Sequence, residues 1–402
     1  MRDNGALAAG RRTHQRTRPK QSTAVSTTLL VSPLNGGAEQ KFPVYIDTRS
    51  PALFVPDASC GDCPSSVTKF DSGEDTAKKK VKSVTVGRLG VVSGYAVETK
   101  VAVSSSVFVN KQPVLSAYEL PQNLLPSGIT GYLGLGKLSL PLAKDSFLLN
   151  LLLPDRSGMS GAVTEGYFYV DYQNSAAPEL VLTTSKPDAS RYDANFGANW
   201  LPTLEVERYS QWFVLANSLT VANRTTSKKT DAVIVSLDFG APSAILAPSD
   251  AYTSLMESIT ALPGVTNPLW VPCASVPELP TLTFDILHEQ YSLTGAEYTD
   301  PDKDHKQCHL RVSADPGAPY WTLGAQFHQK YAVTYDFTQG RIALPRSSVP
   351  SWFGDNWLAV VIPGSFGVLL TAFLLFVRSQ KHAAGSQFRS SPQLPAAAGS
   401  GP

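Results

Sequence analysis

The stretch that decides the fold spans residues 42–56 and reads Phe-Pro-Val-Tyr-Ile-Asp-Thr-Arg-Ser-Pro-Ala-Leu-Phe-Val-Pro. Two apolar runs of the kind found in buried β-strands flank a short polar turn that contains Asp47, Thr48 and Ser50. A carboxylate delivered out of an apolar interior is costly unless it is paired or has a function. The turn therefore marks Asp47 as a candidate functional residue.

A second stretch, residues 232–248, has the same plan. An apolar run over 232–235 leads to Asp238, and a second apolar run ends at Pro248. Two related halves that each carry one Asp predict a site at their junction.

Composition indicates a globular chain. With 402 residues, 17% charged residues and a net charge of +1, the chain is long enough for two lobes with cores of their own and gives no reason to expect nucleic-acid binding. From residue 27 onward, short strand-like runs separated by Gly, Pro, Asn and Asp predict an all-β body. Runs over 81–86 and 91–103 predict a long hairpin, and 249–262 predicts a helix capped by Ser249 or Asp250.

The four cysteines fall into two pairs by position, Cys60 with Cys63 and Cys273 with Cys308. An even count in a loop-rich chain favours disulfides. Cys60 and Cys63 could instead form a redox or metal pair, but the other two cysteines are too far apart to complete a typical zinc site.

Residues 357–377 form an uncharged apolar run long enough to cross the roughly 30 Å hydrocarbon core of a membrane as a helix. Arg378, Lys381 and Arg389 follow it, so the positive-inside rule places a disordered tail, 378–402, in the cytosol. The body is then luminal or extracellular, joined to the span by a juxtamembrane linker over 347–356.

The N-terminal segment, 1–26, is basic, is expected to be disordered and lacks the apolar core of a signal peptide. Either the start is incomplete, or the protein is tail-anchored and faces the cytosol. The paired cysteines and the glycosylation sequon at Asn223 favour the secretory route. We therefore expect a single-pass membrane protein of the secretory pathway, a vacuole or the cell surface.

Over about residues 27–346 the chain resembles the pepsin-like aspartic peptidases, peptidase family A1. Each lobe of that family carries an apolar-Asp-Thr/Ser-Gly-Thr/Ser turn, and residues 42–56 follow this form closely. The run 131–136 is similar to the element that crosses behind the first Asp, and 320–344 is similar to the C-terminal signature. The two cysteine loops match the family's disulfide positions.

The resemblance implies a bilobal all-β fold with a peptide-binding cleft between an N-terminal lobe, 27–190, and a C-terminal lobe, 191–346. It also implies that Asp47 and Asp238 share a proton and activate a water molecule without a metal or cofactor. His305 and His309 could bind a metal only if their segment were helical, and it reads as a loop in which Cys308 is better used as a disulfide.

Three departures affect this site: one at Arg49, one in the second turn and one in the flap. Arg49 replaces the Gly after Asp47-Thr48, and a guanidinium there is expected to lower the pKa of Asp47 and to fill the space of the water. The alternative is that Arg49 points into solvent. Phe239 replaces the hydroxyl residue before Gly240 in the second turn.

The spacing of the two turns also differs. Asp47 precedes Pro56 by nine residues and Asp238 precedes Pro248 by ten, so Asp238 is expected to be displaced by a bulge or absent from the site.

The third departure is in the flap, the hairpin that covers the site in this family. Val86 aligns with the position of the flap tyrosine, next to Gly87 and Arg88, so a hydrogen-bond donor is lost. The three changes together predict a membrane-anchored family member with impaired catalysis, whose cleft binds peptide or a partner protein. The alternative is an active aspartic endopeptidase that works at acidic pH.

Overall fold

A computed structural model describes residues 25–63, 67–73, 80–86, 90–120, 125–137, 143–158, 163–172, 178–188, 191–192, 197–205, 209–223, 227–241 and 243–346. The predicted membrane span 357–377, the tail 378–402, Gly87 and Arg88 lie outside these residues, as does nearly all of the basic N-terminal segment. Within the described ranges, no helix has the length and apolar character that a membrane crossing requires.

The described chain is mostly β, as the alternation of short apolar runs with turn residues predicts. The strands are β1 Ser26–Pro33, β2 Gln40–Asp47, β3 Leu53–Pro56, β4 Lys80–Val86, β5 Gly90–Ala102, β6 Phe108–Glu119, β7 Gly131–Gly134, β8 Tyr167–Asp171, β9 Glu179–Thr183, β10 Ala198–Pro202, β11 Phe213–Ala222, β12 Ser227–Leu237, β13 Ile245–Pro248, β14 Trp270–Pro272, β15 Thr281–Ile286, β16 Glu289–Leu293, β17 Thr299–Pro301, β18 Gln307–Leu310, β19 Val312–Asp315, β20 Trp321–Leu323, β21 Thr334–Asp336 and β22 Arg341–Pro345. The predicted hairpin is β4 and β5, which pair in antiparallel register.

In the described residues, three α-helices accompany the strands: α1 Phe147–Leu152, α2 Ser249–Thr260 and α3 Ala325–Tyr331. The helix predicted from residue 249 is therefore confirmed as α2, but its predicted cap is wrong. Pro248 occupies the N-cap position, and no side chain makes a capping hydrogen bond. The reason is that β13 runs into α2 without a turn, so Ser249 and Asp250 already lie in the first helical turn.

Two seven-stranded sheets repeat one topology. In the first, β7 pairs in parallel with β2 and antiparallel with β3, and β3 pairs in parallel with β6. In the second, β20 pairs in parallel with β12 and antiparallel with β13, and β13 pairs in parallel with β19. This repeat confirms the two related halves that the sequence indicated, and it places Asp47 and the residue before Asp238 at the ends of equivalent strands.

A five-stranded sheet of order β10-β22-β21-β8-β9 combines strands from both halves of the chain. Trp212 adds a link between the halves, since its indole Nε1 donates a 2.8 Å hydrogen bond to the Leu135 carbonyl. Phe168 of β8 packs edge-on to Trp212 and stacks on Tyr335 of β21. One continuous apolar core therefore extends beneath both turns.

Both predicted disulfides are present. Cys60 bonds to Cys63, and Cys273 bonds to Cys308 across 35 positions of sequence. The second bond links the start of a 3-10 helix, Cys273–Glu278, to β18 of the three-stranded sheet β14-β18-β17.

Replacing both Cys273 and Cys308 by Ala should lower the free energy of unfolding by about 3–4 kcal/mol, because the unfolded chain regains the entropy of an open 35-residue loop. Chemical denaturation of the two forms measures this difference. The matched control replaces Cys60 and Cys63, whose loop is much shorter and should cost about 1–2 kcal/mol. Equal losses for the two pairs would contradict the loop-closure argument.

Candidate active site

Two polar turns meet at the junction of the halves. Asp47 is the last residue of β2, and Asp238 directly follows β12. The backbone of each Asp is hydrogen-bonded to the neighbouring parallel segment of chain. The Leu135 amide donates to the Asp47 carbonyl at 2.7 Å, and the Asp238 amide donates to the Leu323 carbonyl at 3.0 Å. The carboxyl groups are 2% and 0% exposed, respectively.

Asp238 is neither displaced nor absent, so the expectation drawn from the spacing of the prolines is wrong. Equivalent hydrogen bonds fix the register: the Gly134 amide donates to Ala52 O at 2.7 Å, and the Gly324 amide donates to Ala244 O at 2.8 Å. Ala244 lies one residue further from its Asp than Ala52 does, so the extra residue of the second turn falls between Asp238 and Ala244. The turn absorbs it after the carboxylate has been placed.

The first turn contacts Asp238 through Thr48. The Thr48 hydroxyl lies 2.9 Å from Asp238 Oδ1 and 3.2 Å from the Leu237 carbonyl, and the Thr48 amide lies 3.4 Å from the same Oδ1. The Gly240 amide completes this set at 3.0 Å. The side-chain hydrogen bonds between the two turns thus run in one direction, from Thr48 to the second turn.

The two turns treat their own aspartates alike. The amide two residues after each Asp donates to its Oδ1, from Arg49 to Asp47 and from Gly240 to Asp238. A Cβ on Gly240 would lie 2.5 Å from the Ile46 carbonyl, so the second turn needs glycine to approach the first. The position that corresponds to Gly240 in the first turn is Arg49.

The Arg49 side chain is directed between the aspartates. Its Nε lies 2.7 Å from Asp238 Oδ2 and 3.8 Å from Asp47 Oδ2, and the side chain is only 8% exposed. The Nε contact to Asp238 is an ion pair without the alignment of a hydrogen bond. The alternative in which Arg49 points into solvent is therefore wrong.

Electrostatics at Asp47 differ from the expectation as well. Burial and the charge of Asp238 raise the pKa of Asp47 to about 6, and they outweigh the lowering effects of the Arg49 charge and its amide. The predicted lowering is wrong because one cation faces two buried carboxyl groups and lies closer to Asp238. Burial alone would lower the pKa of Arg49, but the two carboxyl groups raise it, so the guanidinium stays charged.

Two tyrosines on the first sheet complete the wall of the site. Tyr45 and Tyr132 are parallel neighbours on β2 and β7, and burial, together with the Asp47 charge, raises the pKa of both phenols. Sequence reasoning missed them, although Tyr45 stands two residues before Asp47 and so shares its face of the strand. These neutral rings exclude water from around the carboxyl groups.

Phe239 does not face Thr48. Its ring packs at about right angles to His328, with centroids 5.7 Å apart, and also contacts Phe168 and Tyr335 edge-on. The substitution therefore replaces a hydroxyl at the junction with an apolar ring in the core of the second half. The Phe239 ring contacts His328 and Tyr335, which are buried polar residues beside the second turn. No sequence motif indicated these two residues.

Val86, at the end of β4, is fully buried in a small apolar cluster with Phe54 and Tyr132. Its side chain has no polar atom, so it cannot donate a hydrogen bond toward the aspartates. Ser50 is buried in the first turn, where its hydroxyl accepts a 3.2 Å hydrogen bond from the Ala52 amide. Its role is to shape the turn that carries Asp47.

Across the ranges that the structure describes, no three His, Cys, Asp or Glu side chains converge closely enough to hold a metal ion. His305 and His309 lie around the Cys273–Cys308 disulfide, and His309 packs against the Trp270 ring.

Comparison with known proteins identifies the family. The family model described as Eukaryotic aspartyl protease matches residues 34–346, which include both turns and both disulfides. The chain belongs to this family. Its mostly-β architecture, with one Asp at the end of an equivalent strand in each half, is the bilobal pepsin-like fold.

Among the curated relatives of this chain, renin of Canis lupus familiaris is 26% identical over 324 residues, covering 76% of each chain. Chymosin of Callithrix jacchus is 25% identical over 322 residues, covering 78% of this chain and 79% of its own. Cathepsin D of Clupea harengus is 22% identical over 325 residues, with the same coverage as chymosin. In each case the similarity covers about three quarters of this chain.

Proposed function

We propose that this aspartyl protease homologue is catalytically impaired and that its interlobe cleft binds peptide or a partner protein without cleaving it. The observation that carries the proposal is the position of Arg49, whose Nε contacts both Asp238 Oδ2 and Asp47 Oδ2.

Hydrolysis by a pair of aspartates needs a water molecule between them, one carboxylate to accept its proton and one carboxylic acid to donate to the substrate carbonyl. Arg49 lies where both outer carboxylate oxygens can be reached from one atom, and its charge favours the ionised form of Asp47. A cation paired with Asp238 opposes the shared proton that the mechanism requires. Arg49 therefore occupies space that the nucleophilic water needs, and its positive charge opposes the proton that the two aspartates would share.

The second turn and the flap support this proposal. Phe239 withdraws into the apolar core, so the junction has the Thr48 hydroxyl but no matching hydroxyl from the second turn. Val86 is buried and cannot donate a hydrogen bond to a substrate. Both changes preserve the packing of the lobes while they remove polar groups from the site.

An active aspartic endopeptidase is the second candidate, and one observation favours it. Asp47 and Asp238 are both buried at the junction, and the raised pKa of Asp47, about 6, would keep its carboxyl group protonated in acid. Loss of the Asp47 charge would weaken one of the two contacts of Arg49, and a swing of this side chain would admit water at acidic pH.

We also propose that the body is luminal or extracellular, with an N-terminal lobe over 27–190, a C-terminal lobe over 191–346 and a membrane anchor over 357–377. The two disulfides favour an oxidising compartment. Asn223 directly follows β11, at the end of a hairpin strand. Glycosidase sensitivity that is lost in Asn223→Gln would support this topology, and resistance of the wild type would contradict it.

The test of the binding function uses the purified full-length protein and a mixed peptide pool at pH 4 to 7. We expect peptides to be retained on the protein and recovered intact by mass spectrometry, with the same result for Asp47→Asn. An active relative such as chymosin, assayed in parallel, verifies that the pool contains cleavable peptides. Cleavage by the wild type that disappears in Asp47→Asn would overturn the proposal in favour of the endopeptidase.

A further inference from the structure

A chain of polar contacts leads from the core of the second half to the aspartates. Nδ1 of His328 lies 2.8 Å from the Gly324 carbonyl, and Nε2 lies 2.6 Å from the Tyr335 hydroxyl. The same hydroxyl lies 3.0 Å from the Leu237 carbonyl. That carbonyl is also 3.2 Å from the Thr48 hydroxyl, which in turn is 2.9 Å from Asp238 Oδ1.

Counting protons along this chain limits its arrangements. A carbonyl can only accept, so the 2.8 Å contact to Gly324 requires a proton on Nδ1 of His328. In a neutral imidazole Nε2 then has a lone pair and must accept the Tyr335 proton. The Leu237 carbonyl then accepts no proton from Tyr335, so it competes fully with Asp238 Oδ1 for the single proton of the Thr48 hydroxyl.

A charged His328 reverses the direction of the chain. Nε2 now carries a proton and donates it to the Tyr335 oxygen, so the Tyr335 proton turns to the Leu237 carbonyl. With one of its two lone pairs occupied by Tyr335, the Leu237 carbonyl is a weaker acceptor for Thr48, and the Thr48 proton shifts toward Asp238 Oδ1 at 2.9 Å. One proton added at the ring thus turns the Tyr335 hydroxyl and strengthens the hydrogen bond from Thr48 to a carboxyl oxygen.

We propose that His328 and Tyr335 are positioning residues of the Asp47–Asp238 pair, which transmit the protonation of the His328 ring through the Tyr335 and Thr48 hydroxyls to Asp238. Phe239 presents no hydroxyl at the junction of the two turns, because its ring packs beside His328. Tyr335 supplies that hydroxyl from β21.

The surroundings of His328 set when the relay changes direction. Its ring is enclosed by the rings of Phe239, Phe327 and Tyr335. Burial is the main cause that lowers the pKa of His328 to about 4. The imidazole is therefore neutral at pH 7 and becomes charged only in acid.

Two charged groups act on the ring from other elements. Asp238, which follows β12, favours the charged imidazole, and Arg191 opposes it. Because Asp238 also acts directly through its charge, a test must separate this through-space effect from the hydroxyl relay.

Nuclear magnetic resonance of the full protein, labelled at histidine nitrogens and aspartate carboxyl carbons, makes this separation between pH 3 and 8. His328→Gln assigns the ring signals by their loss. At neutral pH we expect the tautomer with the proton on Nδ1 and a hydrogen-bonded Nε2. As His328 titrates, the Asp238 carboxyl carbon should shift with the same midpoint.

Tyr335→Phe keeps the stacking on Phe168 and the charge of Asp238 but removes the relay hydroxyl. In this variant the Asp238 shift at the His328 midpoint should fall to the part that the His328 charge exerts through space, and the His328 midpoint should move to lower pH because charged Nε2 loses its acceptor. Tyr298→Phe is the matched control, since it removes an equally buried hydroxyl that contacts the Pro280 carbonyl instead. It should leave both signals unchanged.

Three outcomes would overturn the relay: a proton on Nε2 at neutral pH, an Asp238 shift that is as large in Tyr335→Phe as in the wild type, or a His328 ring that never titrates while the protein stays folded. The relay involves the same aspartates as the proposed function but needs no turnover. Cleavage of peptides would therefore refute impaired catalysis without refuting the relay, and the spectroscopic outcomes leave the binding proposal untouched.

Discussion

Asp47→Asn should make the protein more stable than the wild type above pH 6 and equally stable below pH 4. The pKa of the Asp47 carboxyl group is near 6 in the folded state and 3.8 in the unfolded state. Its contribution to the free energy of unfolding is therefore fully present below pH 3.8 and is lost as the pH rises through 6. The difference in the free energy of unfolding should reach about 3 kcal/mol at pH 7. Asn is isosteric and still accepts the hydrogen bond of the Arg49 amide.

Chemical denaturation of both forms at intervals from pH 3.5 to 8 measures this effect. The difference between the two forms is the quantity to compare, because His328 acts in the opposite direction over the same range. Its pKa is lowered from 6.5 to about 4, so its contribution is present above pH 6.5 and is lost as the pH falls. A stability difference that does not change with pH would contradict the raised pKa of Asp47.

Arg49→Met should destabilise the protein by about 3–5 kcal/mol at pH 7. The substitution keeps most of the side-chain volume but leaves Asp47 and Asp238 buried without their cation, and removing one partner of a buried ion pair has a cost of this size. The loss should shrink toward pH 4, where a proton on Asp47 removes one of the two negative charges.

Arg341→Met is the matched control for this prediction. Its Nε lies 2.7 Å from Asp336 Oδ2, the same distance as between Arg49 and Asp238, but the Arg341 side chain is 30% exposed. Oδ1 of Asp336 also accepts hydrogen bonds from Thr338 and Gln339, so the carboxylate keeps these partners when the arginine is removed. Thermal and chemical denaturation should show a smaller loss for Arg341→Met, and equal losses would contradict a special role for burial at Arg49.

The repeated turn could be predicted because it depends on local patterns. An apolar strand, a polar turn and a second apolar strand ending in Pro are all visible in residues 42–56 and 232–248, and the structure pairs them through equivalent central strands. The hairpin of β4 and β5 follows from the same kind of pattern. Such features can be predicted because the periodicity of a strand and the formation of a turn depend on residues that are close in sequence.

The chemistry of the site could not be predicted in the same way. Whether Asp238 reaches the site depends on where the second turn places its extra residue, and only the hydrogen bonds of Gly134 and Gly324 show this. The sign of the pKa shift at Asp47 depends on burial and on two unequal distances to Arg49, which sequence order does not contain.

The relay of His328 and Tyr335 lies still further from local pattern. These residues come from α3 and β21, about 90 residues after Asp238, and contact the site only through tertiary packing. Within the C-terminal segment that resembles the family signature, two polar residues in a buried stretch were the available signal.

The proposed function makes the claim that Arg49 keeps an intact pair of aspartates from working, and turnover by Arg49→Gly is the decisive measurement. Wild type, Arg49→Gly and the double variant Arg49→Gly/Asp47→Asn are incubated with the mixed peptide pool at pH 4 to 5, and new peptide ends are counted by mass spectrometry. We expect no cleavage by the wild type, cleavage by Arg49→Gly, and loss of that cleavage in the double variant. Wild-type cleavage that equals that of Arg49→Gly and is abolished by Asp47→Asn would contradict the claim.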